Sequence, residues 1–163
     1  MLKGTEVKLN VDYLANREEW DRKAKKVVYT GPIDAYFDYC FGDLDYRTTS
    51  FKHEILPTKD YQGNALINYT DAEVPYTRVI EHKHFDWVNC NHTVVTKEYP
   101  EVWQRNLTPY YPINDEKNTK AFAQYKEKSK TLKNVLFGGR LAEYKYYDMH
   151  QVIAQALMKI SEL

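Results

Sequence analysis

Val135-Leu136-Phe137-Gly138-Gly139-Arg140-Leu141-Ala142-Glu143-Tyr144-Lys145-Tyr146-Tyr147-Asp148-Met149 reads as a short buried strand, a glycine pair, an arginine, a tyrosine cluster and a helix entered through an acid. Glycines directly after a strand let a neighbouring backbone or a ligand approach closely. A helix N-terminus presents unbonded N–H groups and a partial positive charge. Arginine adds a rigid fork suited to an anion. These parts together suit an anionic, aromatic cofactor, and equally a plain strand–turn–helix packing unit. The helix that follows, over residues 148–161, carries Met149, Val152, Ile153, Ala156, Leu157 and Ile160 at helical spacing.

Outward from this stretch, the beginning of the chain has the same character. Glu6-Val7-Lys8-Leu9-Asn10-Val11 alternates like a strand. A helix is expected over residues 16–25, with Asn16 as N-cap and Glu18 and Glu19 in its first turn. Val27-Val28-Tyr29-Thr30 is a short strand closed by Gly31-Pro32, and residues 33–39 read as a helix ending at Gly42. Strand, helix, strand, glycine and helix in succession is an α/β pattern. The middle differs. Residues 46–55, 65–70, 77–85 and 92–99 alternate or are rich in β-formers, with Pro57, Gly63 and Pro75 between them. They predict an antiparallel sheet of about four strands. A linker containing Pro109-Tyr110-Tyr111-Pro112-Ile113 then leads to a polar helix over residues 116–132. The expected class is mixed α/β and α+β: an α/β part from residues 1–44 and 133–163, with an antiparallel sheet and its linking helix inserted as residues 45–132.

Composition bounds the function. With 163 residues the chain suits one domain or two small lobes. Basic and acidic residues balance at 23 each, which argues against a broad nucleic-acid surface. No apolar run is long enough for a membrane-spanning helix, and the first residues lack the core of a signal peptide. Cys40 and Cys90 have neither metal nor redox spacing and read as free thiols of a cytoplasmic protein. Fifteen tyrosines suit half-buried sheet faces or a site for a phosphorylated, hydroxyl-rich ligand.

Arg47, Arg78 and Arg140 each follow a turn-like or glycine-containing segment, and guanidinium groups there can converge on a phosphate. Tyr111 and Tyr146 can donate a hydroxyl to the same group. His82 and His84 would share one strand face, with His53 or His92 as a third metal ligand, but nothing fixes that geometry and no metal is expected.

The runs Lys26-Val27-Val28-Tyr29-Thr30-Gly31-Pro32-Ile33-Asp34, Val74-Pro75-Tyr76-Thr77-Arg78-Val79-Ile80-Glu81-His82-Lys83, Tyr110-Tyr111-Pro112-Ile113 and Gly139-Arg140-Leu141-Ala142-Glu143-Tyr144-Lys145-Tyr146-Tyr147-Asp148-Met149 closely resemble the bacterial UDP-galactopyranose mutase family. The resemblance covers essentially the whole chain, in order, but only a C-terminal part of the family architecture. Family members begin with a βαβ unit bearing a dinucleotide fingerprint, and no Gly-x-Gly-x-x-Gly occurs here. The resemblance implies a partial flavin-binding α/β domain and a chemistry in which reduced FAD attacks the sugar's anomeric carbon as UDP leaves, interconverting UDP-galactopyranose and UDP-galactofuranose for cell-surface polysaccharide synthesis. It implies that Arg78 binds the diphosphate, with Tyr111 and Tyr146 donating to it. It places Arg47 in the same region and turns Asn68 toward sugar or flavin. Arg140, Asp148 and Met149 would lie by the flavin, with Thr30 and Gly31 at a crossover of its domain. Full-length members would form homo-oligomers. The 163-residue chain is expected not to turn over alone and to hold FAD weakly or not at all. The other class of reading is a non-catalytic nucleotide-sugar binding or assembly module. A third is a part that needs the rest of the architecture to fold.

Overall fold

The computed structural model describes residues 2–161. In chain order, a 3-10 turn at Leu14–Asn16 runs into α1 (Arg17–Lys23), followed by β1 (Val27–Tyr29) and α2 (Ile33–Tyr36). The middle holds β2 (Tyr46–Leu56), β3 (Leu66–Asn68), β4 (Arg78–Glu81), α3 (Lys83–Asp86), β5 (Thr93–Val102) and β6 (Tyr111–Pro112). The last segment holds α4 (Glu116–Ser129), β7 (Val135–Phe137), α5 (Gly139–Ala142) and α6 (Met149–Ile160). The chain divides into two compact units: a flanking unit, up to Leu44 and again from Asn114, and a central unit, Asp45–Ile113.

In the flanking unit, β1 and β7 pair in parallel, Val27 opposite Val135 and Tyr29 opposite Phe137. A parallel pair needs a long crossover, and α2 and α4 belong to the intervening chain on this unit's side. Much of the tyrosine content is core here. The Tyr36 ring lies 5.0 Å from that of Tyr29, 5.1 Å from Phe37 and 4.8 Å from Phe137, all edge-on, the arrangement aromatic quadrupoles favour. The Arg17 guanidinium covers the outer face of Tyr36 at 4.2 Å and donates to its carbonyl at 2.7 Å. Asn16 precedes α1, but its side chain makes no capping hydrogen bond.

Helix α4 belongs to this unit, so the expected boundary at residue 132 moves to about residue 113. The cause is Tyr125. Fully buried, its hydroxyl donates to the Gly42 carbonyl at 2.6 Å and accepts the Phe41 N–H at 3.0 Å. Asp115 caps the helix through the Asn118 N–H.

The central unit is an antiparallel sheet of five strands in the order β3-β4-β5-β2-β6, one more than expected because Tyr111–Pro112 pairs with the start of β2. Its spine is the pairing of β2 and β5, which runs from Arg47↔Val102 to Leu56↔Thr93. Side chains alternate faces along each strand. Tyr46, Thr48, Val79, Glu81, Thr93 and Val95 fall on one face by this register, and all are buried.

Two expected strands differ. Residues 6–11 form none: Val7, Leu9 and Val11 are exposed, because alternation needs a neighbouring ladder to make a strand. The strand over residues 77–85 stops at Glu81 and turns into α3. His84 therefore does not share a strand face with His82. Helix α6 forms as expected, but Met149, Ile153, Leu157 and Ile160 of its apolar stripe remain exposed.

Candidate functional site

Each unit carries its own share of the residues singled out by the sequence. In the central unit, Arg78 is the first residue of β4, held at a strand entrance by the turn through Pro75. It stands directly opposite Asn68 on one side and Glu98 on the other. Its Nε donates to the Asn68 side-chain oxygen at 2.9 Å, and Nη1 lies 3.5 Å from a Glu98 carboxylate oxygen. Two contacts on two flanking strands restrict the rotamers of a long side chain, which preserves the guanidinium plane for an oxyanion.

Arg47 and Tyr111 are a second directly opposed pair, across β2 and β6. Both are exposed. Following the register, Asn68, Arg78, Glu98, Phe51, Val102, Arg47 and Tyr111 all fall on the same side of the sheet, opposite the buried face. Two strand spacings and four residues separate Arg78 from Arg47, so their Cα atoms are roughly 16 Å apart. The face therefore presents two stations rather than one point of convergence. Glu98 and Phe51 were not singled out from sequence; only the register reveals that they lie between the stations.

In the flanking unit, Thr30 and Gly31 follow β1, and Gly138, Gly139 and Arg140 follow β7. Both groups thus sit at the carboxyl ends of a parallel strand pair, the edge at which α/β sheets take up ligands. They are tied together: the Gly138 N–H donates to the Tyr29 carbonyl at 3.1 Å. Gly139 has φ +86°, a conformation that favours glycine, and a Cβ there would lie 3.7 Å from Thr30. Gly31 is required for a different reason. A Cβ would come within 2.6 Å of the Tyr29 hydroxyl.

Arg140 lies over the Tyr146 ring, 4.5 Å from its centroid, so these two candidates meet. Tyr146 is half exposed, whereas Tyr147 turns inward, its hydroxyl pushed above the ordinary range by burial and then by Glu143. Two residues beyond Tyr146, Asp148 caps α6 in a reciprocal box: its carboxylate accepts from the N3 backbone, and Gln151 accepts the Asp148 N–H at 2.9 Å. Met149, at the first position of α6, is 84% exposed and so available as a contact surface. An ion pair of 3.2 Å between Glu143 and Lys159 holds the turn after α5 against α6.

A cavity of about 570 Å³ in the same unit is lined by Phe122, Lys126, Ala142, Glu143, Lys145 and Lys159, among others. Neither Arg140 nor Tyr146 lines it, so the sequence-derived candidates do not belong to it. Of the histidines weighed as metal ligands, His53 and His82 both lie within hydrogen-bond distance of the Thr96 hydroxyl, at 2.8 and 2.6 Å, and both are exposed. Cys40 and Cys90 are free thiols. Among the described residues no helix is long and apolar enough to cross a membrane.

Comparison with known proteins gives this geometry a family. The chain is 41% identical over 137 residues to a probable UDP-galactopyranose mutase of Klebsiella pneumoniae, covering 83% of this chain and 35% of the relative. It is 39% identical over 132 residues to a dTDP-fucopyranose mutase of Escherichia coli, covering 80% of this chain and 35% of that protein. A UDP-galactopyranose mutase of Mycoplasma pneumoniae is 37% identical over 145 residues, 85% of this chain and 36% of the relative. The chain thus spans about a third of the length of these curated relatives. The family described as UDP-galactopyranose mutase matches residues 1–146, which takes in the central unit, most of the flanking unit and all the candidates but Asp148 and Met149. The chain belongs to the UDP-galactopyranose mutase family.

Proposed function

We propose that this chain supplies the C-terminal share of a flavin-dependent mutase that interconverts UDP-galactopyranose and UDP-galactofuranose in the cytoplasm. The observation that carries the reading is the braced arginine: Arg78 is held between Asn68 and Glu98 on the open face of the sheet, with Arg47 and Tyr111 as a second station on that face. An extended nucleotide-sugar, with a diphosphate between two bulky ends, suits such a spacing better than a compact anion does.

Arg78 binds the diphosphate and, as UDP departs, neutralises the charge that develops on it. Tyr111 in the central unit and Tyr146 in the flanking unit each carry a hydroxyl that can donate to a phosphate oxygen without needing ionisation. Asn68 orients Arg78 and presents its amide toward the sugar. In the flanking unit, the carboxyl ends of β1 and β7 carry Gly31 and Gly139, whose bare backbone a dinucleotide cofactor can approach, while each glycine also meets a demand of the fold itself, the Tyr29 contact at Gly31 and the positive φ at Gly139. FAD would be held by Thr30, Gly31, Arg140, Asp148 and Met149, and when bound and reduced it supplies nucleophilic chemistry at the anomeric carbon. Arg140, stacked on Tyr146, is the link between cofactor and diphosphate sides of this share of the site.

Because the chain spans a third of the relatives' length, we expect it to bind UDP weakly and not to turn over alone. Titration with UDP, read by calorimetry, tests the assignment: binding that the Arg78→Ala variant loses supports it, and binding that is indifferent to Arg78 overturns it. The nucleoside is tested with dTDP in the same cell, since the fucopyranose mutase relative is almost as similar as the galactopyranose ones. A non-catalytic nucleotide-sugar module differs in one readout. It binds UDP fully without FAD, and gains nothing when FAD is added.

A further inference from the structure

One polar cluster of the central unit lies on the buried side of the sheet and takes no part in the proposed site. Asp60 in the loop after β2, Glu81 at the end of β4 and His84 in α3 each bring one ligand-type atom together, all within 4.8 Å of one another. Glu81 is fully buried at the end of its strand. Its carboxylate accepts the Tyr61 N–H at 3.1 Å, the Gln62 N–H at 2.9 Å and the Thr93 hydroxyl at 2.7 Å. The same carboxylate faces His84.

His84 answers it in an unusual way. Its Nε2 lies 3.2 Å from Glu81 Oε2 and 3.6 Å from Asp60 Oδ1, yet the atom is buried and makes no hydrogen bond to either. Distances near 3.4 Å between ligand atoms are what a tetrahedral ion imposes when each ligand stands about 2.1 Å away. The third pair of ligand atoms, on Asp60 and Glu81, also lies within 4.8 Å. Asp60 Oδ1 also accepts the Gly63 N–H at 2.7 Å, which fixes the loop bearing it. Lys83, the nearest cation in sequence, is turned away: its Nζ donates to the carbonyls of Lys59, Cys90 and His92. A cavity of about 300 Å³ lined by Asp60, His84, Trp87 and Val88, with Lys59 and Lys83, reaches the cluster from solvent.

We propose that Asp60, Glu81 and His84 form a structural site for a divalent transition metal of the zinc type, with water as the fourth ligand. The donor set is one imidazole and two carboxylates, which suits zinc better than the all-oxygen cations magnesium and calcium. The ion clasps the loop after β2 to the end of β4 and the start of α3, on the opposite side of the sheet from Arg78, and it has no part in the sugar chemistry.

The test uses the full chain after dialysis against a chelator. Zn²⁺ is titrated by calorimetry, and Co²⁺ by its visible d–d absorption. The expected result is one equivalent bound, with tetrahedral Co²⁺ bands, and affinity lowered by at least about tenfold in both His84→Gln and Asp60→Asn. These two substitutions lie at the partly exposed side of the cluster and leave Glu81 and its donors in place, and circular dichroism verifies that they fold. The Cys90→Ser/His92→Gln variant serves as the control, because Cys90 Sγ and His92 Nδ1 lie 3.1 Å apart and are the nearest rival ligands. It should bind Zn²⁺ as the parent does. Absence of binding, binding untouched by the His84 and Asp60 variants, or binding lost in the control each overturns the proposal.

Discussion

Arg78 and Asn68 face each other across β4 and β3, and the Nε of Arg78 donates to the Asn68 side-chain oxygen at 2.9 Å. Glu98 completes the bracket from β5. An arginine fixed in this way presents its remaining N–H groups in one plane, so less rotamer freedom is lost when an oxyanion binds. The contact thus makes Asn68 a positioning residue for Arg78, whatever else it touches.

The two positions should separate in binding measurements with UDP. Arg78→Ala removes the charge and is expected to weaken binding by at least about tenfold, or ~1.4 kcal/mol. Arg78→Lys should recover only part of this, because an ammonium cannot bind in a fork. Asn68→Ala leaves the charge in place and should cost only a few-fold. Calorimetric titration of the three variants checks the order, and an Asn68→Ala loss equal to that of Arg78→Ala would show that Asn68 contacts the ligand as strongly as the arginine.

Gly31 gives a prediction about packing at the other share of the site. A Cβ at this position would lie 2.6 Å from the Tyr29 hydroxyl and 2.8 Å from its Cζ, and Tyr29 is itself buried between Tyr36 and Phe137. Gly31→Ala should therefore destabilise the chain by about 1–3 kcal/mol, the usual cost of overpacking. Adding Tyr29→Phe removes the closer contact but not the ring, so the double variant should recover part of the loss. Urea denaturation of parent, single and double variants measures it. Full stability in Gly31→Ala would mean that the Tyr29 ring moves freely.

Much of this was legible in the sequence, and the failures share a cause. Val135-Leu136-Phe137 followed by two glycines, and Asp148 ahead of an apolar stripe, announce a strand end and a capped helix because both signals are local. Arg78 after Pro75 is legible as a strand entrance for the same reason. That Asn68 stands opposite it, or that Phe51 and Glu98 lie between it and Arg47, depends on register between strands far apart in sequence. The side to which α4 belongs was hidden likewise, since it depends on a tyrosine bonded to backbone more than eighty residues away. Residues 6–11 failed in the opposite sense: the alternation is present, but no described strand pairs with it.

Asp34 should make stability depend on pH. It is fully buried in the flanking unit, and burial raises its carboxyl above the ordinary value of 3.8, against the N–H groups of Leu44 and Ala35, which lower it; the nearby Asp43 raises it further. A carboxyl raised in the folded state binds its proton more tightly there than in the unfolded chain. Its contribution is therefore fully present below 3.8 and is lost as pH rises through the raised value. Asp34→Asn abolishes that titration, though it also replaces an acceptor that faces a backbone N–H at 2.9 Å. The parent-minus-variant difference in unfolding free energy should then vary with pH only across this acid window and be flat above it. Urea titrations at several pH values test this, and a difference that grows as pH rises would reverse the sign of the argument.

Asp148 offers the last test, because one side chain there has two possible jobs. In the structure it caps α6, with Gln151 returning the bond to its N–H. Asp148→Ala should reduce stability by about 1 kcal/mol through the cap alone, whereas Asp148→Ser or Asp148→Asn, which also cap, should cost a few tenths. If the carboxylate also serves the cofactor, the two kinds of substitution separate: Asp148→Asn keeps the helix but changes the charge beside the flavin. FAD binding, expected to be weak in the parent and followed by flavin fluorescence at high FAD concentration, should then fall further for Asp148→Asn even though thermal stability is nearly that of the parent. Equal FAD binding in parent and Asp148→Asn would confine Asp148 to the helix, and the flavin contact would pass to Arg140 and the free N–H groups at the start of α6.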